Sequence, residues 1–500
     1  MLGLFSSNKT THPLASSREA KRILEEIATR EPLRAVEDAG AWLESLAADE
    51  GFKLTQRLDL TLRIDAAAVA QARRLGRDFP SLGAVSRVQE SRNWQFSHTY
   101  WQLLVAAYLD CIARYRAAEK EEDAIRPQLP MIYGRLVNAL AAELKWKQFR
   151  YGPIDPEFWK ILGGIYLAAV QAKVAQKPMQ LFPGGDETTI EAEYLKVLVF
   201  SAASMSSLQP LEIEVAERFI AYFLPFFSLI RELRPENVYW VDASKALPPT
   251  RLAKLPEITP TLRFFNGTRA VEAVEKTIQQ IRGEGRVPPG INLGAQYEIN
   301  SVIPVLEHLA LCWAPKPPMR SNARHRIKSP LTVAGGLAAV HQRLSGRTSG
   351  KEGGDLWTVD DVSLGGLSAQ VAGPGQASQE WVRIGALVGM RPDGGENWLL
   401  GIVRRYVRGG ANQGSVGIET VSKVPRAVFA DAGGLYTEAL LLDIPEVGEY
   451  ARMAVAANAL EDKVALIFDL DDKKARLHPR ETIETGADYV IANFFVQSFC

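Results

Sequence analysis

Between His308 and Gly350 the chain carries no Asp or Glu, yet it holds Lys316, Arg320, Arg324, Arg326, Lys328, Arg343 and Arg347. The whole protein balances 58 Lys and Arg against 58 Asp and Glu, so this segregation of one sign wants a cause. A solvated loop is the plain explanation. An anion site is the sharper one, because arginine presents a planar fork that fits phosphate and the O6/N7 edge of guanine. Downstream, Asp361-Val-Ser363-Leu-Gly-Gly366 opens a strand-rich stretch with a carboxylate, a hydroxyl and two glycines. Its plain explanation is a β-turn with an Asx bond.

Arg320-Ser-Asn-Ala-Arg324 followed by Asp361–Gly366 resembles the two signatures of the PilZ domain, RxxxR and then [DN]xSxxG. The runs WVRIGALVGM, WLLGIVRRYV and SVGIETVS follow in the strand order of such a domain, and the resemblance covers roughly residues 318–424. It says nothing of the first 300 residues. The resemblance implies a six-stranded antiparallel barrel that binds the bacterial second messenger cyclic di-GMP. On that footing Arg320 and Arg324 clamp phosphates and stack on or bond to guanine, with Arg326 as a helper. Asp361 and Ser363 supply acceptors and a hydroxyl, and Gly366 lets the backbone approach closely or take positive φ. One departure stands out: Gly335-Gly336 interrupts the expected first strand, as a bulge or as an insertion containing a helical turn.

Other motifs carry less. Gly184-Gly185-Asp186-Glu187 copies four letters of the diguanylate cyclase signature, but that signature needs a β-hairpin and metal-binding acids, whereas here it lies between expected helices. The histidines (His12, His98, His308, His325, His341, His478) lack metal-ligand spacing, and no nucleophile elbow or phosphate loop is present. No catalysis, cofactor or metal is expected. The cysteines, Cys111, Cys312 and Cys500, are odd in number and far apart, which points to a reducing compartment.

The elements that must hold the site follow from composition and periodicity. A chain of 500 residues with 47% hydrophobic and 23% charged residues is too long for one ordinary core, at roughly 100–200 residues per domain. Helical spacing dominates first, as in Trp101, Leu104, Val105, Tyr108 and Ile112, or Ile132, Leu136, Leu140 and Leu144. Ser16 with Glu19 reads as a capping box, and Pro225 should kink or break the helix expected over Ile213–Leu233. After Pro315, Pro317 and Pro318, short alternating strands take over, among them Trp381–Val388. The expected fold is multidomain α+β: an irregular helical domain over 1–235, a mixed α/β connector over 236–314, a PilZ-type barrel over 315–424, and a β-rich module or barrel extension over 425–500. Lys316–Lys328 should form an exposed link ahead of the barrel.

These features together predict a cytoplasmic cyclic di-GMP receptor with no secretory signal and no membrane span, which signals through domain rearrangement to a protein partner of its helical domain. Zero net charge argues against DNA or RNA. The rival from another class is an interaction scaffold whose barrel binds no nucleotide.

Overall fold

The computed structural model describes residues 11–82, 86–117, 122–291, 293, 297–316, 323–346, 355–372, 381–409, 413–434, 436–460, 465–470 and 473–497. The chain divides into two compact units, Met1–Arg150 with Ile154–Met205 and Pro210–Pro318, and Tyr151–Pro153 with Ser206–Gln209 and Met319–Cys500. Helices come first and antiparallel sheets last, so the chain is a multidomain α+β protein.

In the first unit, helices over Ser17–Thr29, Pro32–Ala48, Leu54–Leu82, Arg87–Arg116, Leu129–Gln148, Pro156–Gln171, Ile190–Ala202 and Pro210–Phe223 bury the apolar faces that periodicity marks. Trp101, Leu104, Tyr108, Ile132, Leu136, Leu140 and Leu144 are all in the core, each worth about 1.5–3 kcal/mol for a fully buried large apolar side chain. Local signals start the helices: Asp155 Oδ1 accepts the Glu157 N–H at 2.9 Å, and Thr189 Oγ1 accepts the Ala192 N–H at 3.0 Å. The expected capping box does not form. Ser16 makes no side-chain cap bond, and the Glu19 carboxylate accepts from Arg22 Nε and Nη2 at 3.1 and 3.0 Å in place of the Ser16 N–H. Pro225 does break its helix, which ends at Phe223 in a 3₁₀ turn, Leu224–Phe226.

Two small sheets complete this unit. Strands β1 (Met179–Gln180) and β2 (Glu187–Thr188) form a hairpin. The others, β3 (Ser228–Ile230), β4 (Tyr239–Asp242), β5 (Thr250–Arg251) and β6 (Leu262–Asn266), make an antiparallel sheet in the order β3-β6-β4-β5. Helices Thr268–Glu284 and Ile299–Trp313 follow and pack on each other.

The second unit holds two closed antiparallel barrels of six strands each. The first uses β7 (His325–Gly335), β8 (Asp355–Ser363), β9 (Gly366–Ala372), β10 (Leu387–Pro392), β11 (Leu399–Arg408) and β12 (Gln413–Ser422), in the order β10-β11-β12-β9-β8-β7. Alternation fills its interior: Leu367, Ala369 and Val371 are buried, while Ser368 and Gln370 face outward. Between β7 and β8 runs a helix, Leu337–Leu344, admitted by Gly336 at φ 85°. The glycine pair is thus a strand-to-helix corner, the second of the two readings. The expected strand Trp381–Val388 is shorter than its pattern. It begins at Leu387, because Trp381 stacks on Trp357 at 5.5 Å and donates to Asp355 at 3.2 Å instead of joining the ladder.

Residues beyond 425 close a barrel of their own, from β13 (Arg426–Asp431), β14 (Tyr436–Leu441), β15 (Tyr450–Val455), β16 (Leu466–Leu470), β17 (Lys473–Thr485) and β18 (Val490–Gln497). The two barrels share a buried cluster in which Leu387, Leu400 and Ile402 meet Leu440, Ala454, Tyr489 and Ile491. Tyr489 donates its hydroxyl to the Gly385 carbonyl at 3.0 Å. The C-terminal module is therefore packed against the first barrel through an apolar seam, which couples the two mechanically.

Candidate ligand site on the first barrel

The hairpin joining β8 to β9 turns over Leu364-Gly365, with Ser363 and Gly366 as its closing pair. Ser363 Oγ donates to the Gly366 carbonyl at 3.1 Å, and the Thr420 N–H donates to the Gly365 carbonyl at 3.0 Å. Those two bonds tie the turn to itself and to the segment beside it. Gly366 is required by close approach: a Cβ there would lie 2.1 Å from the Ile418 carbonyl oxygen of β12. Any side chain would wedge β9 away from β12 and distort the barrel face.

Beside this turn lies an open cavity of about 380 Å³. Arg324, Ser363, Gly365 and Gly366 line one side; Ser368, Ser415 and Gly417 make a floor of small side chains; Arg404, Arg405 and Glu419 complete the wall. Arg324 is held in place, since its Nη1 donates to Asp361 Oδ1 at 2.6 Å. Both side chains are partly exposed, at 36% and 26%. Three arginine cations, serine hydroxyls and backbone glycines around a shallow floor suit a flat, anionic, hydrogen-bonding molecule.

Each residue singled out in the sequence can now be located. Arg324, Ser363 and Gly366 converge on the cavity. Asp361 is bonded to Arg324 and is not among the lining residues. Arg326, on β7, is exposed, pairs in register with Asp361 of β8, and is also outside the lining. Arg320 lies outside the described residues. Of the exposed link expected over Lys316–Lys328, His325–Lys328 belongs instead to β7 and ladders with β8 through His325–Val362 and Arg326–Asp361, while residues 317–322 lie outside the described residues.

Three charged lining residues were missed: Arg404, Arg405 and Glu419. Val403 pairs with Ile418 and Arg405 with Gly417, so Arg404 is an extra residue, a β-bulge in β11. The bulge turns two consecutive arginines toward one face, where plain alternation would separate them. A doublet of charge inside the apolar run WLLGIVRRYV was the available signal. Arg404 Nε donates to Glu419 at 2.8 Å, while Nη1 and Nη2 donate to the two oxygens of Glu484, each at 2.9 Å. Burial works against the Arg404 charge, but Glu484 and then Glu419 outweigh it and raise the guanidinium pKa. Arg405 has no carboxylate partner among the described residues.

The remaining signals resolve as follows. Gly184–Glu187 sits in the loop and second strand of the β1–β2 hairpin, not simply between helices as the sequence suggested. Among the described residues no group of three or more His, Cys, Asp and Glu could hold a metal ion. Burial pushes the Cys111 thiol up to about 12, with Asp110 adding to it, so it is a poor nucleophile. Among the described residues no helix is long and apolar enough to cross a membrane.

Residues 18–234 match the family model of the N-terminal domain of the cyclic-di-GMP receptor FimW. The matched stretch is the helical part of the chain and ends well before the first barrel. No curated protein matches the chain.

Proposed function

We propose that this protein is a cyclic di-GMP receptor whose first barrel is a PilZ-type ligand module. The observation that carries the reading is the meeting of Arg324, Ser363 and Gly366, distant in sequence, on one cavity of the barrel face. The family match is independent support, because it concerns residues 18–234 and owes nothing to the barrel motifs. Arg324 and Arg405 take the phosphates, Ser363 and the glycine turn approach the ligand edge, and Arg320 and Arg326 assist. Asp361 acts by holding Arg324.

The protein acts by binding, not by catalysis, and needs no cofactor beyond the messenger. Signalling runs through rearrangement of the helical unit, which meets a protein partner in the bacterial cytoplasm. The test is thermal unfolding of the full chain with and without cyclic di-GMP, with GMP as control. A ligand bound only by the folded state adds about 2.7 kcal/mol at a hundredfold excess over Kd. Unchanged melting with cyclic di-GMP at about 1 mM, which means a binding free energy weaker than about 4 kcal/mol, leaves the scaffold reading in its place.

A further inference from the structure

We propose that Glu419 selects guanine in this site, and that Glu484 of the second barrel is the positioning residue that makes it able to do so. The inference rests on the cyclic di-GMP reading above and assigns the specificity within it.

Among the described residues that line the cavity, Glu419 is the one carboxylate. Asp361 is occupied by Arg324 and does not line the cavity. Glu419 stands opposite Gly366 in the β12–β9 ladder, beside the turn that begins the ligand wall. Its side chain is half exposed, with Oε2 fixed by Arg404 Nε and Oε1 without a hydrogen-bond partner among the described residues. Oε1 is open and Oε2 keeps a lone pair beside its bond to Arg404, so both oxygens are oriented to accept from the paired donors of a guanine edge. Guanine offers N1–H and N2–H donors there, which a carboxylate accepts; adenine turns an N1 lone pair toward the same place and is repelled. A site built to hydrogen-bond one partner rejects the analogue that lacks the donors, because its own polar groups are then left unpaired.

The anchoring has a source outside the first barrel. Arg404 is the extra residue of the β11 bulge, so its ladder neighbours do not fix its direction. Glu484, on β17, grips both terminal nitrogens in a two-pronged bond. That fork sets the plane of the guanidinium, and the plane sets where Nε holds Glu419. Glu484, Arg404 and Glu419 thus form a relay from the C-terminal barrel to the base.

The experiment titrates cyclic di-GMP and cyclic di-AMP, at matched salt, into full-length wild type, Glu419→Gln, Glu484→Gln and Arg404→Lys. Glu419→Gln should weaken cyclic di-GMP about tenfold or more without weakening cyclic di-AMP, so the preference narrows. Glu484→Gln should narrow it by a smaller factor. Arg404→Lys keeps the charge but cannot grip Glu484 with two nitrogens, and should behave like Glu484→Gln. An unaltered preference in Glu419→Gln overturns the assignment of Glu419. An unaltered preference in both Glu484→Gln and Arg404→Lys overturns the relay. Wild type that binds neither nucleotide is the distinct outcome that removes the receptor reading itself.

Discussion

Arg324 and Asp361, one from each sequence motif and joined at 2.6 Å, form a single ion pair at the mouth of the cavity. The pairing means that the cation is aimed before any phosphate arrives, and that a ligand must share or displace the carboxylate. Because the pair is partly exposed, its worth to stability is small, about 0–1 kcal/mol.

Asp361→Ala therefore frees Arg324 without removing it. Binding of cyclic di-GMP should fall by roughly three- to tenfold, the loss of an oriented group and not of the group itself. Titration calorimetry checks this. A loss larger than that from Arg324→Ala would mean that Asp361 touches the messenger.

Gly366→Ala tests the turn. The added methyl would sit 2.1 Å from the Ile418 carbonyl oxygen, so β9 must move. The cost expected for such overpacking is about 1–3 kcal/mol, with weakened binding alongside. Chemical denaturation and titration should register both effects; an alanine variant as stable as wild type would show that the β9–β12 contact can relax.

A third expectation concerns acid and the helical unit. Burial opposes ionisation of Glu193, but Lys196 and hydrogen bonds from Thr188 and Asn138 outweigh it and hold its carboxyl below the ordinary glutamate value. Its folded value is depressed, so the stabilisation is present above about pH 4.5 and is lost as pH falls through the folded value. Glu193→Gln should lower the melting temperature at neutral pH and flatten its decline on acidification. A decline identical to wild type would assign acid sensitivity to other carboxylates.

Much of the fold was legible because periodicity is local. The core faces of the helices and the strands in WLLGIVRRYV and SVGIETVS follow from spacing along the chain, and the break near Pro225 from the residue itself. The site was legible only where a motif carried it, at Arg324, Ser363 and Gly366. Arg404 and Arg405 were hidden because a bulge overrides alternation, and a bulge is set by cross-strand pairing that spacing alone does not encode. Glu484 was hidden for a stronger reason: it reaches Arg404 from 80 positions away, across the seam between two barrels. Closure of the second barrel likewise depends on long-range partners such as β13 with β16. Asp361 was found but given a different part, since nothing in its spacing tells whether a carboxylate faces a ligand or a neighbouring arginine.

The central claim is that cyclic di-GMP binds this barrel face through Arg324. Paired titrations of cyclic di-GMP into the full chain and its Arg324→Ala variant, at matched salt, test it most directly. Loss of a charge-assisted contact should weaken binding about tenfold to more than a hundredfold, while unfolding free energy stays within about 1 kcal/mol of wild type. Wild-type affinity in Arg324→Ala would contradict the account.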